Sequence, residues 1–318
     1  MRGDYQTLVD EISAALEAPA TLEDRDFGLI AFGAHEAGDD DGAALMDPVR
    51  TSSILRRRST AAVRAWFEAF GIARASGPLR IPPDPSAGVV RGRICLPARH
   101  GGVVRGYVWL LDDGHLAEVE LGGPGAPADP RIAQAMESAD RIGALLAAEA
   151  RAGAEAGALL RELVAGPQTG RAAAEVGLRA ALGAAADGHL ALVAVLPWAA
   201  AGREGADTQG VVPSAPGVAA TCAVRAPGSL AGGAGALAAL VRLRTAGGTE
   251  PAVKAALRLL ESPPAARGRT GEGAARAVRG AGVSDPRTGL TDLAAAWREA
   301  LAAARAAGTW WPDYALGL

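Results

Sequence analysis

The sequence predicts a mixed α and β protein (α/β or α+β) built from two domains and a connecting helix. A chain of 318 residues exceeds the size of most single hydrophobic cores and favours about two domains. Short apolar runs typical of strands alternate with segments of helical periodicity in both halves. The predicted segments are 1–128 for the first domain, 129–165 for a connecting and dimerising helix, and 166–318 for the second domain.

The first domain is predicted to begin with a helix and a hairpin. Apolar residues recur at helical spacing over residues 5–16. Two apolar runs, 20–23 and 27–32, are separated by Asp24-Arg25-Asp26, which predicts a hairpin with a polar turn. The acidic stretch that follows, 36–42, is typical of a solvated loop.

Two helices and three strands should complete this domain. Asp47-Pro48 begins one helix, because Asp caps free amides and Pro fits the first turn. Ser59-Thr60 begins another, which Gly71 ends. A short strand over 79–82 precedes a long hairpin, 89–97 and 103–111. A sheet with helices on one face is the most economical packing of this order.

The connecting helix is predicted to begin at Asp129-Pro130. If it continues to Val164 it spans roughly 50 Å, which is too long to pack on one small sheet. Glycines inside a helix weaken it by up to about 1 kcal/mol each. We therefore expect a break or a subunit contact near residues 150–157. A dimerising linker helix and two ordinary helices both remain compatible with the pattern.

The second domain alternates helices and strands, which predicts a sheet covered by helices. Segments 199–215 and 262–273 are expected to be loops, and segment 237–243 could be a strand or a helix. The predicted helices are 171–182, 249–260 and 289–307, and the predicted strands are 190–198, 218–225, 237–243 and 275–283.

Composition argues against a nucleic-acid-binding surface within the chain. The net charge is −3, and Lys254 is the single lysine. A DNA-binding domain normally presents a strongly basic face, whereas the run Arg56-Arg57-Arg58 is best explained as the end of a helix. Cys95 and Cys222 lie in separate apolar runs and are expected to be free buried thiols. Because neither a signal peptide nor a membrane-spanning run is apparent, we expect a cytoplasmic protein.

The sequence offers no recognisable catalytic, metal or cofactor motif, so we expect a protein that is not an enzyme. The four histidines have no short ligand spacing with each other or with the cysteines. The glycine-rich run 232–235 lacks both the Walker lysine and the Rossmann spacing. Ser284-Asp285 has no obvious histidine partner.

The long hairpin carries a candidate ligand site. Arg91, Arg93 and Cys95 alternate with apolar residues along its first strand, and Arg105, Tyr107 and Trp109 do so along its second. One interpretation is a polar face that meets solvent or a partner. The other is a pocket, in which Arg binds a small carboxylate beside aromatic rings. The predicted ligand-binding residues are Arg50, Trp66, Phe67, Arg93, Cys95, Tyr107 and Trp109.

Several segments resemble bacterial regulators of the PucR/CdaR family, and in particular actinobacterial regulators of proline utilisation. In the first half these are residues 18–27, Asp47-Pro48-Val49-Arg50-Thr51, 93–97 and 106–113. In the second half they are Gly282-Val283-Ser284-Asp285-Pro286, Thr288-Gly289-Leu290 and the ending Tyr314-Ala315-Leu316-Gly317-Leu318. The element order of the first domain also resembles a GAF or PAS-like sensory module.

The resemblance implies a GAF/PAS-like sensor, a central GGDEF-like domain and a C-terminal helix-turn-helix. No Gly-Gly-Asp-Glu-Phe signature occurs, so the central domain is expected to be degenerate and without cyclase activity. The helix-turn-helix is expected to lie beyond residue 318 or to be lost. The implied role is a homodimer that binds a small effector, such as an amino acid, and reaches DNA only through that further domain. Two alternatives remain open: an enzyme (nucleotide-processing or hydrolase) in the second domain, and a dimerisation scaffold that senses nothing.

Overall fold

A computed structural model describes residues 2–33, 48–112, 114–123, 126–198, 217–224, 235–261, 279–310 and 316–317. The mixed α+β class is confirmed, since helices and strands are both abundant along the chain. The chain divides into two compact units, Met1–Ala150 and Arg151–Leu318. The predicted acidic loop 36–42, the cap Asp47, the predicted loops 199–215 and 262–273, and the glycine run 232–234 lie outside the described residues.

The first unit is built on a five-stranded antiparallel sheet with the strand order β2-β1-β5-β4-β3. Its helices are α1 (Arg2–Leu16), α2 (Pro48–Arg56), α3 (Ala61–Glu68) and the first part of α4 (Pro130–Ala165). Its strands are β1 (Ala20–Asp24), β2 (Leu29–Gly33), β3 (Leu79–Ile81), β4 (Gly92–His100) and β5 (Val103–Asp112), with a separate two-stranded ribbon of β6 (Leu121–Gly123) and β7 (Ala126–Ala128).

Helices cover both faces of this sheet, so the prediction of helices on one face was wrong. One face packs against the apolar stripe of α1 and against α4, through residues such as Ile12, Leu110 and Ile142. The other face packs against Phe67 of α3, with Val49 of α2 at its margin. The reason is that alternate residues of β4 and β5 are buried on both sides, so neither face is left to solvent.

The β1–β2 hairpin is confirmed, but Phe27 belongs to its turn rather than to a strand. The carboxylate of Asp24 accepts hydrogen bonds of 2.8 Å from the backbone amides of Asp26 and Gly28. Phe27 adopts a positive φ of 60°, in the left-handed region, and its side chain is fully buried. The turn therefore directs an aromatic ring inward.

The segment between α2 and α3 is tied to this turn. The Ser59 amide donates to the Phe27 carbonyl at 3.0 Å, and the Leu29 amide donates to the Arg57 carbonyl at 3.1 Å. Thr60 then caps α3, because its hydroxyl accepts a hydrogen bond from the Val63 amide. These bonds fix where α3 begins and hold its first turn beside the sheet.

Helix α4 is one continuous helix over Pro130–Ala165, so of the two alternatives expected near residues 150–157, a break or a subunit contact, the break does not occur. The boundary between the two units falls inside it, between Ala150 and Arg151. Close packing explains why a glycine occupies position 143, because a Cβ on Gly143 would lie 2.1 Å from the Arg99 carbonyl oxygen. A helical glycine can thus be favoured by close backbone approach despite its low helix propensity.

The second unit also has a sheet with helices on both faces. Its main sheet order is β13-β11-β8-β10-β9, with β12 paired to β8. One face is covered by residues of α4, α5 and α7, the other by α6. The helices are α5 (Gln168–Leu182), α6 (Glu250–Glu261) and α7 (Leu293–Trp310), and the strands are β8 (His189–Trp198), β9 (Val218–Val224), β10 (Gly235–Arg242), β11 (Gly280–Val283), β12 (Arg287–Thr288) and β13 (Leu316–Gly317).

The predicted strands of the second unit are largely found. The ambiguous segment 237–243 is the strand β10, which pairs with β8 on one side and β9 on the other. Of the predicted strand 275–283, the described part 280–283 is β11. Ser284 is buried at the end of this strand, where its hydroxyl accepts from the Leu192 amide and donates to the Asp285 carbonyl. That serine therefore has a structural role.

Candidate functional site

Strand pairing gathers a set of charged and aromatic side chains on one face of the first sheet. Cys95 lies opposite Trp109, and Glu23 lies opposite Tyr107. Directly paired residues of antiparallel strands project to the same face. The face covered by α2 and α3 therefore presents a buried set in which no member is more than 7% exposed: Thr21, Glu23, Arg93, Cys95, Tyr107 and Trp109.

Four aromatic rings fill the space between this face and α3, and we refer to Phe27, Phe67, Tyr107 and Trp109 as the aromatic cluster. The ring centroids of Phe67 and Trp109 are 4.5 Å apart, and those of Phe27 and Tyr107 are 5.4 Å apart. These separations are typical of favourable aromatic pairs. The rings therefore contact each other directly.

A buried carboxylate lies beside the aromatic cluster. The Trp109 indole nitrogen donates to Oε2 of Glu23 at 3.0 Å, and the Ser59 hydroxyl donates to Oε1 at 3.2 Å. The hydroxyls of Ser53 and Ser59 are 2.8 Å apart. This Glu23 network joins strand β1 to strand β5 and to the segment that connects α2 and α3.

Burial shifts the pKa values of three ionisable side chains on this face. It raises the pKa of Glu23 from 4.5 to about 7, although hydrogen bonds from Ser59 and Trp109 and the charge of Arg93 act in the opposite direction. Burial and the nearby Glu23 carboxylate raise the pKa of the Cys95 thiol well above its usual value. Burial also raises the pKa of Tyr107 to about 12. Cys95 is therefore a neutral thiol, which makes it a poor nucleophile.

Arg93 is a buried cation on this face. It is only 4% exposed, although arginine is rarely buried so completely. Its guanidinium carbon lies 5.7 Å from the centre of the Phe67 ring, within the range of a cation–π contact. Glu23 and Arg93 thus place opposite charges in one buried environment.

The structure brings together five of the seven predicted ligand-binding residues on one face, places Trp66 at the rim of that face and separates Arg50 from it. Phe67, Arg93, Cys95, Tyr107 and Trp109 share the face described above. Trp66 contacts Phe67 at the rim, with ring centroids 4.9 Å apart, and its indole donates to the Asp84 carboxylate. Arg50 donates to the Gly33 carbonyl at the far end of β2.

Three residues of this face, Glu23, Ser59 and Phe27, were not predicted from the sequence. The signal for Glu23 was available, because Thr21 and Glu23 alternate with the apolar Leu22 along β1. The neighbouring run Asp24-Arg25-Asp26 suggested a solvated turn, so Glu23 was not recognised as a buried residue. No sequence pattern indicates that Ser59, which lies 36 residues away, would reach its carboxylate.

Two surface cavities of the first unit lie away from this face. One, of about 520 Å³, lies between α1 and α4 and is lined by Asp4, Thr7, Leu8, Arg141, Ala144 and Leu145. The other, of about 610 Å³, lies beside the 71–79 segment and the β6–β7 ribbon. Neither is lined by a predicted ligand-binding residue.

The described residues contain no group of three or more His, Cys, Asp or Glu side chains arranged to hold a metal ion. No described helix combines the length and the apolar character needed to cross a lipid bilayer.

Comparison with solved structures gives distant structural neighbours. No protein-family model matches the chain, and no curated protein matches it. Solved structures similar to it include the cofactor-binding GAF domain of the nutrient sensor CodY from Clostridium difficile, with 8% identity over 43% of this chain and 81% of that chain and a TM-score of 0.27.

Two further structures resemble the chain to the same extent. The gliding protein MglB from Thermus thermophilus has 19% identity over 45% of this chain and 90% of that chain, with a TM-score of 0.26. The GAF3 domain of Slr1393 from Synechocystis has 15% identity over 46% of this chain and 94% of that chain, with a TM-score of 0.26. Scores this low leave the function to be argued from the residues themselves.

Proposed function

We propose that the first unit senses a small metabolite, which binds to the sheet face around Glu23 and Arg93. One observation carries the proposal: two side chains of opposite charge, each 4% exposed, lie among aromatic rings on the same face. Burying a charge is costly, and sites that maintain such groups are candidates for function. A guanidinium beside aromatic rings suits a small carboxylate, which it can bind through two hydrogen bonds.

Binding would require α3 to move away from this face, because the Phe67 ring of α3 occupies the space in contact with Trp109. A ligand shifts a conformational equilibrium only if it binds one arrangement better than the other. Displacement of Phe67 would move α3, and Ser59 would move with the segment that precedes it. We propose that this displacement is the signal.

Within this proposal the chain is the sensing and dimerisation region of a cytoplasmic PucR/CdaR-type transcription regulator. An amino acid such as proline is the candidate effector, and α4 is the candidate dimerisation element. DNA would be reached only through a helix-turn-helix domain, and no chemical step is assigned to any residue. The support is the sequence resemblance given above together with the buried charges of the first unit. Turnover of guanosine triphosphate by the purified chain would contradict this assignment.

A second candidate function is a dimerisation scaffold that senses nothing. The direct packing of Phe67 on Trp109, and of Trp66 on Phe67, favours this alternative because the protein's own rings take the place of a ligand. The two functions differ in one respect that can be measured: only a sensor is stabilised by a small molecule.

The test is a panel of standard amino acids, purines and small carboxylates, assayed by thermal unfolding and by calorimetric titration of the full chain. A sensor requires a compound that stabilises the chain by about 2.7 kcal/mol at 100 times its Kd. Arg93→Gln should abolish that stabilisation. Arg141→Gln, which changes an exposed arginine of α4, should retain it. A panel without any stabilising compound would leave the scaffold as the better account.

A further inference from the structure

Among the described residues, Glu23 accepts hydrogen bonds from two neutral donors, which a charged donor could replace. These donors are the Trp109 indole and the Ser59 hydroxyl, one on each carboxylate oxygen. A carboxylate has about four acceptor positions. A hydrogen bond from a charged donor is roughly twice as strong as one from a neutral donor. A cationic donor that reached Glu23 would therefore compete well with the Ser59 hydroxyl.

The rings around Glu23 also favour a cation. Trp109 is bonded to the carboxylate, and Tyr107 lies directly opposite Glu23 in the strand pairing. The protein already places cations on rings of this cluster, because Arg64 lies 5.7 Å from the centre of the Phe27 ring and Arg93 lies 5.7 Å from that of Phe67. Aromatic faces beside a carboxylate form a common environment for bound ammonium groups.

Ser59 connects this position to the helices that cover the face. Its hydroxyl contacts both Glu23 and the Ser53 hydroxyl of α2, and its amide is bonded to the Phe27 carbonyl. A ligand group that replaced the Ser59 hydroxyl would release the side-chain link between β1 and the segment before α3. Binding of the ligand to Glu23 and movement of the helices that cover this face, α2 and α3, would then occur together.

We infer that the ligand carries a protonated amine, which binds to the Glu23 carboxylate in place of the Ser59 hydroxyl. This inference rests on the proposed sensing function and makes it more specific. A ligand with both an ammonium and a carboxylate matches the opposite charges of Glu23 and Arg93. A ligand with only a carboxylate would bring no cation to the buried Glu23 charge. We thus assign to Glu23 the preference of the site for amines over simple carboxylic acids.

The experiment compares each standard amino acid with the carboxylic acid that lacks its amino group, for example L-proline with cyclopentanecarboxylate. Calorimetric titration of the full chain should show that the binding amino acid is preferred to its des-amino partner by about tenfold or more, as expected for a hydrogen bond to a charged group. Because this comparison uses the unmodified protein, it does not depend on whether a variant folds.

Two matched variants test whether the preference for the amine depends on Glu23. Glu23→Gln keeps an acceptor for Trp109 and removes the charge, so the preference for the amine should disappear. Glu68→Gln makes the same change on the exposed side of α3, where Glu68 pairs with Arg64, and should leave the preference intact. If a small molecule binds but its des-amino analogue binds equally well, or if Glu23→Gln keeps the preference, the inference is wrong while sensing stands. If no probe binds, sensing and the inference fail together.

Discussion

Glu23 lies almost completely buried, and its proton is therefore coupled to folding. Burial raises its pKa from 4.5 to about 7, so between these values the folded chain retains a proton that the unfolded chain has released. The stability of the first unit should accordingly fall as the pH rises through this window, by up to about 3 kcal/mol. Denaturation in urea at about pH 5 and about pH 8 would measure this difference.

Glu23→Gln should flatten this pH dependence, because glutamine has no proton to lose. Glu68→Gln supplies the control, since Glu68 is an exposed member of an ion pair with Arg64 and its loss should leave the slope unchanged. An equal slope in the wild type and in Glu23→Gln would show that another group is responsible.

The Trp109 indole provides a second prediction at the residue scale. Trp109→Phe retains an aromatic ring and removes the donor to Oε2 of Glu23, which leaves a buried carboxylate oxygen without its partner. We expect a loss of about 1–3 kcal/mol in the free energy of unfolding at neutral pH. Trp66→Phe removes a comparable donor to Asp84 at the half-buried rim and should cost less. The reverse order would mean that the indole bond contributes little.

Strand alternation predicts which side chains share a sheet face, but not which helix residues contact them. Alternation along β4 and β5 correctly grouped Arg93, Cys95, Tyr107 and Trp109, because strand side chains project to two faces with a period of two. It did not place Arg50, whose hydrogen bond to Gly33 depends on how α2 packs. A helix of that length has no sequence signal for its tertiary partner.

Two glycines of α4 differ in what surrounds them, and the same substitution should have opposite effects at the two positions. A Cβ at Gly143 would lie 2.1 Å from the Arg99 carbonyl oxygen, so Gly143→Ala must separate the helix from β4 or distort it. We expect a loss of about 1–3 kcal/mol, the usual cost of overpacking. At Gly153 a Cβ would meet nothing within 4 Å, so Gly153→Ala should stabilise the helix by up to about 1 kcal/mol. Thermal unfolding of the two variants should show changes in stability of opposite sign for the same glycine-to-alanine substitution.

The elements themselves were mostly predictable, and their arrangement was less so. The hairpin β4–β5 follows directly from two apolar runs around His100-Gly101-Gly102. The position of α3 on the second sheet face was anticipated only by the pocket interpretation, which grouped Trp66 and Phe67 with Trp109, because the apolar side of a helix shows that it packs but not against which surface. The sequence left open whether α4 is one helix or two, since the close approach of Gly143 to the backbone of β4 cannot be read from helix propensity.

For the whole molecule, each unit has its own buried clusters. The clusters among the described residues each draw their members from a single unit. Gly282 provides a probe of the second unit, because a Cβ there would lie 2.2 Å from the Ala300 carbonyl oxygen of α7. Gly282→Ala should increase hydrogen exchange in β8, β11 and α7 and leave β4 and β5 protected, whereas Gly143→Ala should do the opposite. Uniform loss of protection in either variant would indicate one cooperative core.

The most direct test of ligand sensing is a crystal structure of the chain grown with the panel compound that stabilises it most. We predict that the compound lies on the β1–β4–β5 face, that its amine contacts the Glu23 carboxylate, and that Phe67 has moved away from Trp109. A compound bound elsewhere, with Ser59 still on Glu23 and the Phe67 and Trp109 rings still 4.5 Å apart, would contradict it.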